Sequence, residues 1–170
     1  MLRIGGRAMQ LEPARIDWQI INDGVMGGLS RSRFSLDDQG LHFSGSLSTA
    51  NAGGFASIRG GLAAPIARFA QIRLSLTGDG RRYQLRLRET ADSGDIAWRA
   101  SFDTSGARET IILAIHDFEP VFRGRRVEAL PGLADREMHF IGFMLASSRE
   151  GAFALSIHTI ETTDADRCRA

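Results

Sequence analysis

An all-β sandwich of two antiparallel sheets, a jelly roll, is the fold this sequence predicts. Three observations carry the prediction. Short apolar segments alternate with polar residues at period two along most of the chain, as half-buried strands do. Clusters of Gly, Asp, Asn and Ser punctuate them at short intervals, for example Asp37–Gly40, Gly78–Gly80 and Asp92–Asp95. No amphipathic helix longer than about two turns is evident.

Taken in order, residues 1–15 are unpatterned and predict an arm or an edge strand. Arg15 to Ile21 reads as the first core strand and runs into a turn rich in special residues, Asn22-Asp23-Gly24-Val25-Met26-Gly27-Gly28. Arg31–Leu36 and Leu41–Leu47 flank the Asp37-Asp38-Gln39-Gly40 hairpin turn. A second glycine cluster, Asn51-Ala52-Gly53-Gly54-Phe55, opens a short strand over Phe55–Arg59, with Gly60 to Pro65 expected as a loop. The middle alternates most cleanly: Ile72, Leu74 and Leu76, then Tyr83, Leu85 and Leu87, then Ile96, Trp98, Ala100 and Phe102. These strands predict one antiparallel meander with a single buried face. Arg108–Ile115 is a further strand, Asp117–Leu133 an irregular excursion, and Met138–Ser147 with Phe153–Ile160 a closing hairpin. The expected organisation is one domain over residues 1–170, with its sandwich core at about 15–161, an arm before it and a tail after it.

Composition narrows the function classes. The chain has 170 residues, 43% hydrophobic and 24% charged, with a net charge of +1. That balance argues against a protein that coats nucleic acid, which requires concentrated positive charge. All 21 basic residues are arginine, so any basic surface presents planar forked donors. The single cysteine, Cys168, excludes an intrachain disulfide and a cysteine-based zinc site. No apolar run is long enough to predict membrane insertion, and the first residues lack the apolar core of a signal peptide, so the cytoplasm is the expected compartment.

The chemistry-bearing motifs are sparse. Neither glycine cluster fits a nucleotide-binding pattern, and Gly28-Leu29-Ser30-Arg31-Ser32 misses the nucleophile elbow by its last residue. His42, His116, His139 and His158 have no ligand spacing, and the carboxylates nominate no catalytic pair. Asp23 fits an Asx-type turn bond, with a structural calcium as the alternative. No catalytic residue, metal or cofactor is therefore expected. Arginine offers more. Arg73, Arg86, Arg88 and Arg99 fall on the polar sides of three consecutive strands, with Gln84, and are expected to share a sheet face. With Phe122-Arg123-Gly124-Arg125-Arg126 they supply the residue types that anchor protein interfaces, the alternative being a solvated face with interspersed acids such as Glu89.

The order of motifs resembles a known family. Trp18 and the Asn22–Ser30 turn come first, followed by Phe43-Ser44-Gly45-Ser46-Leu47 and Asn51–Arg59. Tyr83-Gln84-Leu85-Arg86, Trp98–Phe102, Phe118–Arg125, Ile141–Leu145 and Gly151–Ile157 complete the series. Over Arg15 to Glu161 this is similar to the complex I intermediate-associated protein family, whose domain belongs with the galactose-binding-like jelly rolls. The resemblance implies a non-enzymatic assembly factor or chaperone for a respiratory or photosynthetic complex. Lacking a presequence and a fused nucleotide-binding domain, the chain is expected to be a free-standing bacterial member. Asn22, Asp23, Met26, Asn51, Phe55, Arg86, Arg99, Phe122, Arg123 and Arg125 are the expected partner-binding residues. The expected partner is a protein, an intermediate in the assembly of a larger complex. A carbohydrate-binding module, with a sugar as ligand, is the alternative.

Overall fold

The computed structural model describes residues 8–22, 29–50, 54–91, 96–128 and 132–164. They form thirteen strands in two antiparallel sheets, with three single-turn 3-10 helices between them. One sheet has the order β3-β4-β13-β6-β9, from Arg31–Asp37, Gly40–Leu47, Gly151–Asp164, Phe69–Thr77 and Arg108–Ala114. A short strand β1 (Ala8–Leu11) takes over from β4 beside the second half of β13. The other sheet has seven strands in the order β11-β10-β8-β7-β12-β5-β2. Their ranges are Arg125–Arg126, Glu119–Phe122, Ala97–Asp103, Arg82–Arg88, Glu137–Ala146, Phe55–Ala67 and Asp17–Asn22. The two-sheet sandwich expected from the alternation is thus the architecture found.

The core lies between the sheets. Phe43, Ile72, Leu74 and Leu76 from one sheet meet Tyr83, Leu85, Leu87 and Phe143 from the other, all but fully buried. Trp18 packs on Phe143 at 6.2 Å between ring centroids, and its indole donates to the Pro13 carbonyl at 2.9 Å. The phenol of the buried Tyr83 donates to Asp79 at 3.0 Å, so its polar end is satisfied.

Three local expectations are corrected. β6 and β7 are not neighbours: the chain crosses from one sheet to the other at Gly78–Arg81, so the three central strands form no single meander. Arg73 consequently lies on β6, on the opposite side of the molecule from Arg86. β12 and β13 are likewise in different sheets and make no hairpin. Finally, β5 does not stop at Arg59 but runs to Ala67. Its pairing with β12 jumps from Gly61↔Phe140 to Ile66↔Met138, leaving residues 62–65 in an irregularity opposite His139. Pro65, which cannot donate to a ladder, is tolerated there.

That irregularity sets the phase of β12. Met138 points into the core; after the bulge at His139 the buried residues are Ile141, Phe143 and Leu145. Phe140, Gly142 and Met144 therefore face outward.

Candidate binding groove

The outward face of the seven-stranded sheet can be read row by row from the strand register. Gln19, Arg59, Gly142, Arg86, Arg99 and Glu119 are successive cross-strand partners from β2 to β10. On one side of this row lies Gly61–Phe140–Arg88–Ala97–Val121. On the other lies Ile21–Ser57–Met144–Gln84–Ser101. From these rows Arg59, Gly142, Arg86, Phe140, Arg88, Val121, Ile21, Ser57 and Met144 line a groove of about 600 Å³, while Arg99, Ser101 and Glu119 line a separate depression.

Gly142 sits at the centre. A Cβ there would stand 2.7 Å from the carbonyl oxygen of Ile58, so β12 and β5 approach too closely for any other residue. The missing side chain leaves the floor open between Arg59 and Arg86, whose strands lie about 10 Å apart across β12. Ile21, Phe55, Val121 and Met144 make the floor largely apolar. The two-residue hairpin between β10 and β11 lines it too. Arg123 and Gly124 both have positive φ, +49° and +78°, a turn that matches strand twist. An arginine in that conformation is strained by about 1–2 kcal/mol relative to glycine. Its guanidinium rests over Phe122 at 5.3 Å.

Charge on this sheet face is unbalanced. Arg99 donates to Glu119 through Nε at 3.2 Å and is neutralised. Among the described residues Arg86 has no carboxylate partner: one terminal nitrogen points to the Met144 sulfur at 3.0 Å, and its buried Nε has no hydrogen-bond acceptor. Burial, reinforced by Arg88 and Arg99, pushes Arg86 down to about 10. Arg59 stacks over Phe140 at 5.9 Å and is also shifted down by burial. The Oε1 atom of Gln84 is a second buried polar atom without a partner in these rows.

Of the expected site residues, the structure brings Phe55, Arg86 and Arg123 together around the groove. Arg99 lies in the central row. Phe122 and Arg125 belong to the same hairpin but do not line the floor. Asn22 ends β2 and bonds Ser30 and Ser32 instead. Asp23, Met26 and Asn51 lie outside the described residues. Sequence reasoning missed Arg59, Phe140, Gly142 and Met144. Arg59 closed a strand that was read as ending there, and the outward residues of β12 are apolar enough to pass for core.

The opposite face carries a hydrogen-bonded trio, Asp37–His42–Ser156, with both contacts at 2.8 Å. Ser156 is mid-strand and paired on both flanks, with His42 and with Thr77, which leaves no free backbone amide for an oxyanion. The trio ties β13 to the β3–β4 hairpin, as His158 does by bonding Gln39 and Thr77. Among the described residues no group of three potential metal ligands occurs, and no helix is long and apolar enough to cross a membrane.

The family model of Complex I intermediate-associated protein 30 (CIA30) matches residues 10–157. The chain belongs to this family. No curated protein matches this CIA30-family chain significantly. Among solved structures it is similar to the family 11 carbohydrate-binding module of a cellulosomal cellulase of Clostridium thermocellum. That match has a TM-score of 0.65 at 14% identity and covers 94% of this chain and 96% of the module. The same module in complex with a β-1,3-1,4-mixed-linked tetrasaccharide matches at TM-score 0.62 and 14% identity, over 93% and 96% of the two chains. A low-affinity xylan-binding module from Roseburia intestinalis matches at TM-score 0.55 and 8% identity, over 92% and 95%. At these identities the likeness defines the fold of the CIA30-family chain, a jelly roll.

Proposed function

We propose that this CIA30-family chain is a non-catalytic binding module that holds a segment of a protein partner across the outer face of its seven-stranded sheet. It would act as an assembly factor for a respiratory or other membrane-associated complex, shielding a surface of an intermediate until the next subunit arrives. One observation carries the reading: a groove with an apolar floor and a half-buried arginine, Arg86, that has no carboxylate partner within the described part of the chain. Buried arginines and apolar side chains are what anchor protein interfaces, and the family name supports a partner in complex assembly.

The test is affinity capture of the tagged protein at native expression in its own organism, beside an Arg59→Glu/Arg86→Glu variant and an Arg123→Glu/Arg125→Glu variant. The expected result is enrichment of membrane-complex subunits or their assembly partners, lost in the first variant and weakened in the second. Equal capture by all three proteins would remove the groove from the model.

A carbohydrate ligand is the second reading. It is favoured by the jelly-roll neighbours whose titles name sugars and by the half-buried rings of Phe55 and Phe140 at the groove. Calorimetry with mixed-linked glucan and xylan separates the two. Heat of binding that vanishes in Arg86→Glu would favour the sugar.

A further inference from the structure

The polar lining of the groove is one-sided. Arg59, Arg86, Arg88 and Arg123 contribute guanidinium groups, and a guanidinium has donors but no acceptor. The Ser57 hydroxyl already donates to the Ile21 carbonyl. No carboxylate of the described residues lines the groove. A sugar hydroxyl both donates and accepts, so a neutral glycan would leave many of its O–H groups without an acceptor here. A carboxylate only accepts, and it matches the fork of an arginine.

The uncompensated charge has a definite place. Arg59 and Arg86 are paired with Gly142 from either side, and neither has a carboxylate among the described residues. Arg123 stands at the rim on its strained turn, also without one. Directly opposed like charges destabilise a sheet, and here Arg86 faces Arg99 across β7 and β8. The only carboxylate in the row, Glu119, is taken by Arg99 and approached by Arg126.

We infer that the occupant of the groove is an acidic polypeptide segment, with an Asp or Glu carboxylate seated over Gly142 between Arg59 and Arg86. Apolar side chains flanking that carboxylate would rest on Phe55, Phe140 and Met144. The inference rests on the protein-partner reading above. A polyuronate offers carboxylates too, but each of its sugars also brings hydroxyls that this lining cannot satisfy.

The probe is a displayed library of random dodecapeptides, selected on the folded wild-type chain. The enriched pool is expected to be several-fold richer in Asp and Glu than the input. A peptide from that pool, followed by fluorescence anisotropy, is expected to lose at least roughly tenfold in affinity against Arg59→Gln/Arg86→Gln. Replacing its own Glu by Gln is expected to do the same against the wild-type chain, which needs no variant to fold. Binding that is indifferent to both changes, or a pool no more acidic than the input, would overturn the acidic occupant and leave a protein partner standing. If no peptide is enriched while hexagalacturonate or mixed-linked glucan binds, the protein reading falls with it. If nothing binds, the groove is not a ligand site and both are overturned.

Discussion

Replacing Arg86 by Met separates a binding arginine from a structural one. The fall from the ordinary arginine value of 12.5 to about 10, at 1.36 kcal/mol for each tenfold change in the proton equilibrium, sets an upper limit of about 3 kcal/mol on the cost of carrying this charge at neutral pH. The side chain is only partly covered, so roughly half of that survives solvent screening. Methionine keeps the volume of the stem and a thioether beside Met144, and it leaves no polar atom behind. Arg86→Met should therefore stabilise the protein by about 1–2 kcal/mol, or ~3–6 °C in a chain of this size. Urea unfolding at pH 7 with a parallel thermal melt measures both. The gain should shrink above pH 10, where the unfolded chain still binds the proton that native Arg86 begins to lose. Arg99→Met provides the contrast: its carboxylate partner Glu119 would be left with Arg126 alone at 3.6 Å, so this variant should lose about 1 kcal/mol. Should Arg86→Met fall below the wild type by more than ~1 kcal/mol, Arg86 braces the sheet and is no reserve of binding energy.

Three further outcomes follow from the geometry. Tyr83, held protonated first by burial and then by Asp79, titrates above its ordinary value of 10 in the native state. Stability should therefore fall as pH rises past about 10, and Tyr83→Phe should flatten that fall in alkaline melts while costing about 1 kcal/mol at pH 7. Gly142→Ala should destabilise by ~1–3 kcal/mol in urea, because its methyl meets the Ile58 carbonyl oxygen. Arg81→Met should cost about 2–4 kcal/mol by the same measurement, since its guanidinium donates to the Arg149 carbonyl at 2.8 Å and the Glu150 carbonyl at 3.0 Å from a nearly buried position.

Much of the sandwich was legible because alternation reports directly on burial. Tyr83, Leu85 and Leu87 were expected in the core and are found there. Alternation does not say which sheet a strand joins, so the crossing between β6 and β7 was invisible and Arg73 was assigned to the wrong face. Gly60, Gly61 and Pro65 are breakers by local chemistry, but here pairing with β12 on either side of residues 62–65 overrides them. The groove was half visible. Arg86 and Arg99 could be placed on one face because β7 and β8 do pair. Their partner Arg59, and the glycine that separates it from Arg86, come from strands far away in sequence, and only the register brings them together.

The position of β13 has a consequence for how the molecule is made. It pairs with β1, β4 and β6, all synthesised before it, and β1 waits for it across almost the entire chain. Until residues 151–164 have left the ribosome, β4 and β6 have no strand between them and the inner face of their sheet is open to water. Folding should then be slow, as expected for pairings so distant in sequence. A chaperone that covers β4 and β6 during that interval would find the nascent chain at its stickiest. Joining residues 8 and 164 through a short linker and reopening the chain at Gly106, an exposed turn, would let β13 be made early and should speed the closing of the sandwich.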